Sequence, residues 1–235
     1  MPKREASSRG TQFTVQAVDR SFRGTCFTVV SKMAEIVNEQ QKRTNEGIDR
    51  LGSKVQIIRN EIPIAYSVAI LMPIRSTAPA SLAVNRNISI KTDDDIQTGD
   101  YLLDIKRSEY YIYLTGNEFL SEDATVGISG MAAKCNHTVS IFRSVDKPSG
   151  AGGTKAKFEL VHPNVDVALE FLKGYMSQAE MGFYQNSTHR MYVPAYYGLK
   201  VNDRIKLNDD YLKIDAIDST TYGKVDCCAV TRDRR

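Results

Sequence analysis

After Lys54 the apolar residues of this chain recur at every second position, and they do so in short runs. "KVQIIRN", "AYSVAIL", "NISIKT", "DYLLDIK", "YYIYLT" and "TVSIFRS" are rich in Val, Ile and Tyr and are separated by clusters of Pro, Gly, Asn and Asp. Period-two alternation puts one side of each run on a core and the other toward solvent. Separators this short leave no room for the dozen or more residues of a helical crossover. The strands are therefore expected to run antiparallel, and a barrel or sandwich is the closure that shields their edges. "HRMYVPAYYG", "VNDRIKLNDDYLKIDAID" and "KVDCCAV" resume the pattern near the end of the chain. The expected fold is mainly β: a small antiparallel β-barrel or sandwich over 54–235. Parity places Val55, Ile57, Val68, Ile70, Leu102, Ile112, Val139, Ile141, Ile205, Leu212, Ile214 and Ile217 in its core.

Residues 1–53 read differently. Residues 1–24 are rich in Ser, Thr, Gly and Arg, the composition of an arm that orders only on contact. Behind it, Val29, Val30, Met33, Ile36 and Val37 fall at helical spacing and the pattern stops near Gly52, so one amphipathic helix is expected. Within the β region, 144–190 reads as a long excursion loop. Its "KPSGAGGTKAK" lacks the Gly-Lys-Ser/Thr order of a phosphate loop. Its "VDVALEFL" alternates like a strand, whereas "ALEFLKGYMSQAEMG" has helical propensity, so a strand entering a short helix or irregular excursion is expected. The most apolar run, "IPIAYSVAILMPI" at 62–74, is too short for a bilayer span, is interrupted by Pro63 and Pro73, and is expected to be a buried strand.

Composition narrows the function classes. A net charge of +3 is too mild for a protein that clusters many cations against nucleic acid. Cys26, Cys135, Cys227 and Cys228 show no CxxC spacing, and His137, His162 and His189 are scattered, so no metal site is expected. The thiols are read as reduced and structural. No GxSxG, HExxH or GxGxxG occurs, and no enzymatic activity or cofactor is expected. "MPKREASSRG" has no apolar segment behind it, which suggests a soluble, unexported protein.

Two stretches share a local grammar, "TGDYLLDIKRSEYYIYLTGNE" at 98–118 and "VNDRIKLNDDYLKIDAID" at 201–218. In each, an Asp (Asp100, Asp203) follows a residue that tolerates positive φ (Gly99, Asn202) and starts a strand. Tyr111 and Tyr211 are read as opening the partner strands. Turn chemistry accounts for the acids better than paired-carboxylate catalysis, because neither has a His or second acid at a supporting spacing. The likeness makes a weak case for an internal duplication.

Over about 54–235, the order "GDYLLDI…YYIYLTGNEF", "AAKCNHTVSIFR", a long excursion, and then "MYVPAYYGLKVNDRIKLNDDYLKIDAIDSTTYGKVDCCAV" resembles head-tail connector proteins of tailed bacteriophages, the neck, stopper or head-closure components. The matching positions are Gly99, Asp100, Cys135, Asn136, Asp203, Arg204, Ile205, Tyr211 and Asp215. The resemblance implies a non-enzymatic virion subunit assembled in the host cytoplasm. It would form a ring with copies of itself between the portal or an adaptor and tail-side proteins, with DNA passing through the lumen and no membrane involved. Lys3, Arg4, Arg9, Arg20, Arg23, Arg232, Arg234 and Arg235 are the candidate subunit or DNA contacts. Two alternatives stand beside this one: another tail or baseplate subunit, and an OB-like nucleic-acid module using Tyr110, Tyr111, Tyr113, Tyr196 and Tyr197.

Overall fold

The computed structural model describes residues 20–74, 84–91, 94–121, 124–148, 154–172 and 187–233. Helix α1 (Arg20–Leu51) is followed by twelve strands. The first six are β1 (Ser53–Arg59), β2 (Ile62–Pro73), β3 (Asn85–Ile90), β4 (Tyr101–Asp104), β5 (Glu109–Ser121) and β6 (Ala124–Lys134). The second six are β7 (His137–Pro148), β8 (Thr154–Phe171), β9 (His189–Pro194), β10 (Arg204–Leu207), β11 (Asp210–Asp218) and β12 (Val225–Arg232). All pairings are antiparallel. The expected mainly β, barrel-forming class is what the chain adopts.

The strands close into two barrels, in the orders β1-β2-β3-β6-β5-β4 and β7-β8-β9-β12-β11-β10. These are one topology written twice, and the registers agree. Ser53 opposite Ala69 matches His137 opposite Val167. Ile57 opposite Leu102 matches Ile141 opposite Ile205. Leu71 opposite Ile88 matches Leu169 opposite Met191. The two similar stretches are thus equivalent hairpins of a repeated unit, which strengthens the case for duplication. Tyr211 corresponds to Tyr110 rather than Tyr111, because Leu103 faces Tyr110 and Lys206 faces Tyr211.

Each barrel has its own interior. Val55, Ile57, Ala69, Ile88, Ile90, Leu102, Tyr111 and Tyr113 fill the first. In the second, Val139, Ile141, Val167, Met191, Ile205, Ile214 and Val230 are buried. Outward residues of the first barrel, Tyr101, Ile112, Leu114 and Ala133, join the second barrel's apolar cluster through Ala168, Tyr192, Tyr197 and Leu199. Ile112 is therefore buried as expected, but between the barrels. In β2 the expected parity is off by one: Ser67 and Ala69 are buried, while Val68 and Ile70 are only half-buried. Nor is β2 a fully buried strand, since Ile62, Ile64, Tyr66 and Met72 are exposed. Ile217 is also half-buried.

Helix α1 begins at Arg20 and lies against β6 and β2. It buries Val37 and Ile48 and leaves Ile36 exposed. Of the expected excursion, Ser144–Pro148 and Thr154–Phe171 are strand, so the alternating reading of "VDVALEFL" prevails over its helical propensity; 173–186 lie outside the described residues.

Candidate assembly surface

Each barrel is pinned at one end by a buried carboxylate held by a half-buried arginine. In the first, Arg59 at the end of β1 donates from Nε to Asp100 Oδ1 at 2.9 Å and from Nη2 to Asp100 Oδ2 at 2.8 Å. In the second, Arg143 donates from Nε to Asp203 Oδ1 at 3.0 Å and from Nη2 to Asp203 Oδ2 at 2.7 Å. The surrounding turns repeat as well. Gln97 N–H and Lys200 N–H donate to the respective carboxylates at 2.8 and 2.9 Å. Gly99 (φ 89°) and Asn202 (φ 72°) take the left-handed conformation that brings each acid into place. Two-point charge-assisted bonding of this kind is strong and geometrically specific. It holds the start of the fourth strand of each unit against the first, at the end of β1 and midway along β7. Carboxylate pairing raises the pKa of both guanidinium groups above the ordinary arginine value. The arginines escape a search for catalytic motifs, yet "VQIIR" at 55–59 and "VSIFR" at 139–143 carry them at matching positions.

The other matching positions are structural too. Cys135 and Asn136 form the joint between the barrels. Asn136 Nδ2 donates to Leu169 O and Asn136 Oδ1 accepts from Leu169 N–H, both at 2.8 Å, so a side chain stands in for a strand neighbour. Burial pushes the Cys135 and Cys228 thiols well up and the Cys227 thiol up to about 11, which keeps all three protonated and weakly nucleophilic. Arg204 donates to Asp233 Oδ2 at 2.7 Å and stacks over Phe158 at 4.0 Å and Tyr211 at 5.2 Å, tying the end of the chain to the base of the β7–β8 hairpin. Asp215 lies 3.1 Å from Lys213 Nζ.

Of the candidate basic contacts, Arg232 is exposed and pairs with Asp210 at 2.6 Å. Arg20 and Arg23 lie in the first turns of α1. Lys3, Arg4, Arg9, Arg234 and Arg235 lie outside the described residues. The tyrosines weighed as a base-stacking face do not form one. Tyr111 and Tyr113 are buried in the first barrel, Tyr110 packs edge-on to Tyr101 between the barrels, and Tyr197 is buried. Tyr196 alone among them is exposed.

At the seam, Tyr101 Oη donates to Asp166 O at 2.7 Å and Lys224 Nζ donates to Gln97 Oε1 at 2.7 Å. A shallow cleft of about 240 Å³ lies there, lined by Arg59, Gly99, Asp100, Tyr196 and Lys224 among others. Its Arg and Asp are spent on each other. Among the described residues, no group of three or more His, Cys, Asp or Glu side chains is placed to share a metal ion.

Among the described residues, three features leave surface unmatched. First, β2 pairs with β1 from Ile62 to Ala69 but with β3 only from Ala69 onward, so its opposite edge at 62–68 has no strand partner among the described residues. The exposed segment there is apolar, with Ile62 64% and Tyr66 62% exposed. Second, β7 and β8 continue as a two-stranded ribbon past Arg143, from Ser144 opposite Phe158 to Pro148 opposite Thr154, with neither β9 nor β10 beside it. Third, β5 and β6 run on past their flanking strands to Ser121 opposite Ala124. No protein family, curated protein or solved structure was found to match this chain.

Proposed function

We propose that this chain is a structural virion protein of a tailed bacteriophage, a head-tail connector ring subunit of the neck or stopper kind that links portal to tail around the DNA channel. The carrying observation is that two pinned barrels display strand edges and ribbons that no strand among the described residues covers. A two-stranded ribbon is at best marginally stable in water, and a long apolar edge invites pairing with another chain. Such parts suit a subunit that is completed by its neighbours. The phage assignment comes from the hairpin and joint residues that resemble connector proteins, and those residues serve here as turn, pin and joint. Another tail or baseplate subunit would use the same surfaces. A nucleic-acid module has less support, because four of its five candidate stacking tyrosines are occupied in packing.

The test is complementation. Phage heads prepared without this chain are mixed with the purified protein and with tails, and joined particles are counted by electron microscopy and by infectivity. Restoration of both supports the proposal. Heads that remain unjoined contradict it. DNA retardation that collapses with rising salt, without joining, would favour the nucleic-acid module.

A further inference from the structure

We propose that copies of this chain join head to tail by strand addition, with the β7–β8 ribbon of one copy lying along the open β2 edge of the next. This deepens the ring reading by naming the contact, and it stands or falls separately from the phage assignment. The two surfaces are complementary in kind. Among the described residues the β2 edge at 62–68 offers backbone with no strand partner, and an apolar row of Ile62, Ile64 and Tyr66, all exposed. The ribbon offers strands with free edges and an exposed Leu160 near its base. Among the described residues the two do not pair with each other, and β8 reaches the first barrel at β5 and β6.

Charge favours the same match. Beside the β2 edge lie Glu61, Asp94 and Asp95; Asp94 accepts from Ser67 of β2, and Asp95, its side chain 75% exposed, shares Arg59 with Asp100, so the acids there outnumber that arginine. The ribbon sequence carries Lys147, Lys155 and Lys157 against Asp146 and Glu159. Opposite charges flanking an apolar strip select the register of association and discourage like-with-like pairing of two β2 edges. Pro63 has no N–H to donate, and the exposed side-chain row adds apolar contact to whatever main-chain bonding forms. Because edge and ribbon are different surfaces, the contact is heterologous and propagates, closing into a ring if the rotation per copy allows it. The ribbon's five residue pairs beyond Arg143 extend about 17 Å, enough to span the exposed part of β2.

The experiment uses two forms of the full chain, one Ile64→Cys and one Lys157→Cys, both at exposed positions, mixed under mild oxidation. The expected result is a disulfide-linked dimer that forms in the mixture and not in either form alone. A second, cysteine-independent measurement compares self-association of the unaltered chain with an Ile62→Lys, Tyr66→Lys variant by light scattering, with circular dichroism confirming the fold. Association should weaken roughly tenfold or more. No excess cross-link in the mixture, together with unchanged association of the lysine variant or no association of the unaltered chain, overturns the proposal. Joined phage particles beside that pair of negative results would leave the ring reading intact; the cross-link with unjoined heads would overturn the phage reading and leave this contact intact.

Discussion

Removing one member of the Arg143–Asp203 pair separates a pin from a surface ion pair, and the two members are not equivalent. The Asp203 side chain is 2% exposed and that of Arg143 is 26% exposed. In Asp203→Ala the guanidinium keeps Gly198 O, 2.9 Å from Nη2, and turns its remaining donors toward water. The cost should therefore lie at the low end for a broken buried pair, about 3 kcal/mol. In Arg143→Ala the carboxylate stays buried, with Lys200 N–H still donating to it, and the cost should reach about 4–5 kcal/mol. For a typical urea slope of about 2 kcal/mol/M, the unfolding midpoint falls by about 1.5 M and about 2 M or more respectively. Arg143→Lys should recover little, because one ammonium cannot replace a two-point fork. The assay is urea unfolding followed by circular dichroism, with Arg59→Ala and Asp100→Ala repeating the comparison in the first barrel. Costs below about 1 kcal/mol for both members would reduce the pin to an ordinary surface pair. A larger cost for Asp203→Ala than for Arg143→Ala would refute the desolvation argument.

Gly130→Ala should destabilise the first barrel by about 1–3 kcal/mol or more, because its new methyl would sit 2.0 Å from Thr115 O and 2.7 Å from Gly116 Cα, both backbone. Gly47→Ala in α1, which meets nothing within 4 Å, should instead stabilise by about 0.5–1 kcal/mol; thermal unfolding of both variants checks the contrast. Burial, and secondarily His137, holds the pKa of His189 below the ordinary histidine value of 6.5. The folded state then binds fewer protons than the unfolded one. This contribution is fully present above pH 6.5 and is lost as pH falls through 6.5 toward the lowered value. His189→Gln should flatten that acid-side loss in a Tm-against-pH series, and an unchanged slope would contradict it.

Where the sequence was legible, single-strand alternation carried it. Val55, Ile57, Leu102, Val139, Ile141, Ile205, Leu212 and Ile214 are buried as their parity predicts. The strand that escaped notice is β6, "ATVGISGMAAK", because Gly127, Gly130, Ala132 and Ala133 have little β propensity of their own. They are small for a packing reason. Tyr113 lies opposite Ala132, and Gly116 opposite Gly130, where the two backbones come close. Without β6 the first six strands cannot close, so 54–235 reads as one strand-built body rather than two rings. Closure also depends on β1–β4 and β7–β10 pairings between residues far apart in sequence, on which local periodicity is silent. The pins were half legible. Asp100 and Asp203 stand out as turn acids, whereas Arg59 and Arg143 become visible only when "VQIIR" and "VSIFR" are aligned as copies. In β2 the parity slipped because its outer residues, Val68 and Ile70, are half-buried on the face nearer α1, which blurs the contrast that parity relies on.

The central claim is that a 26.3 kDa chain is a unit of a larger ring. Native mass spectrometry of the full chain, alone and mixed with portal and tail-side proteins, tests it most directly. The account predicts one dominant species that holds a fixed number of copies of this chain, three or more. A single copy under every condition, free or bound, would contradict it.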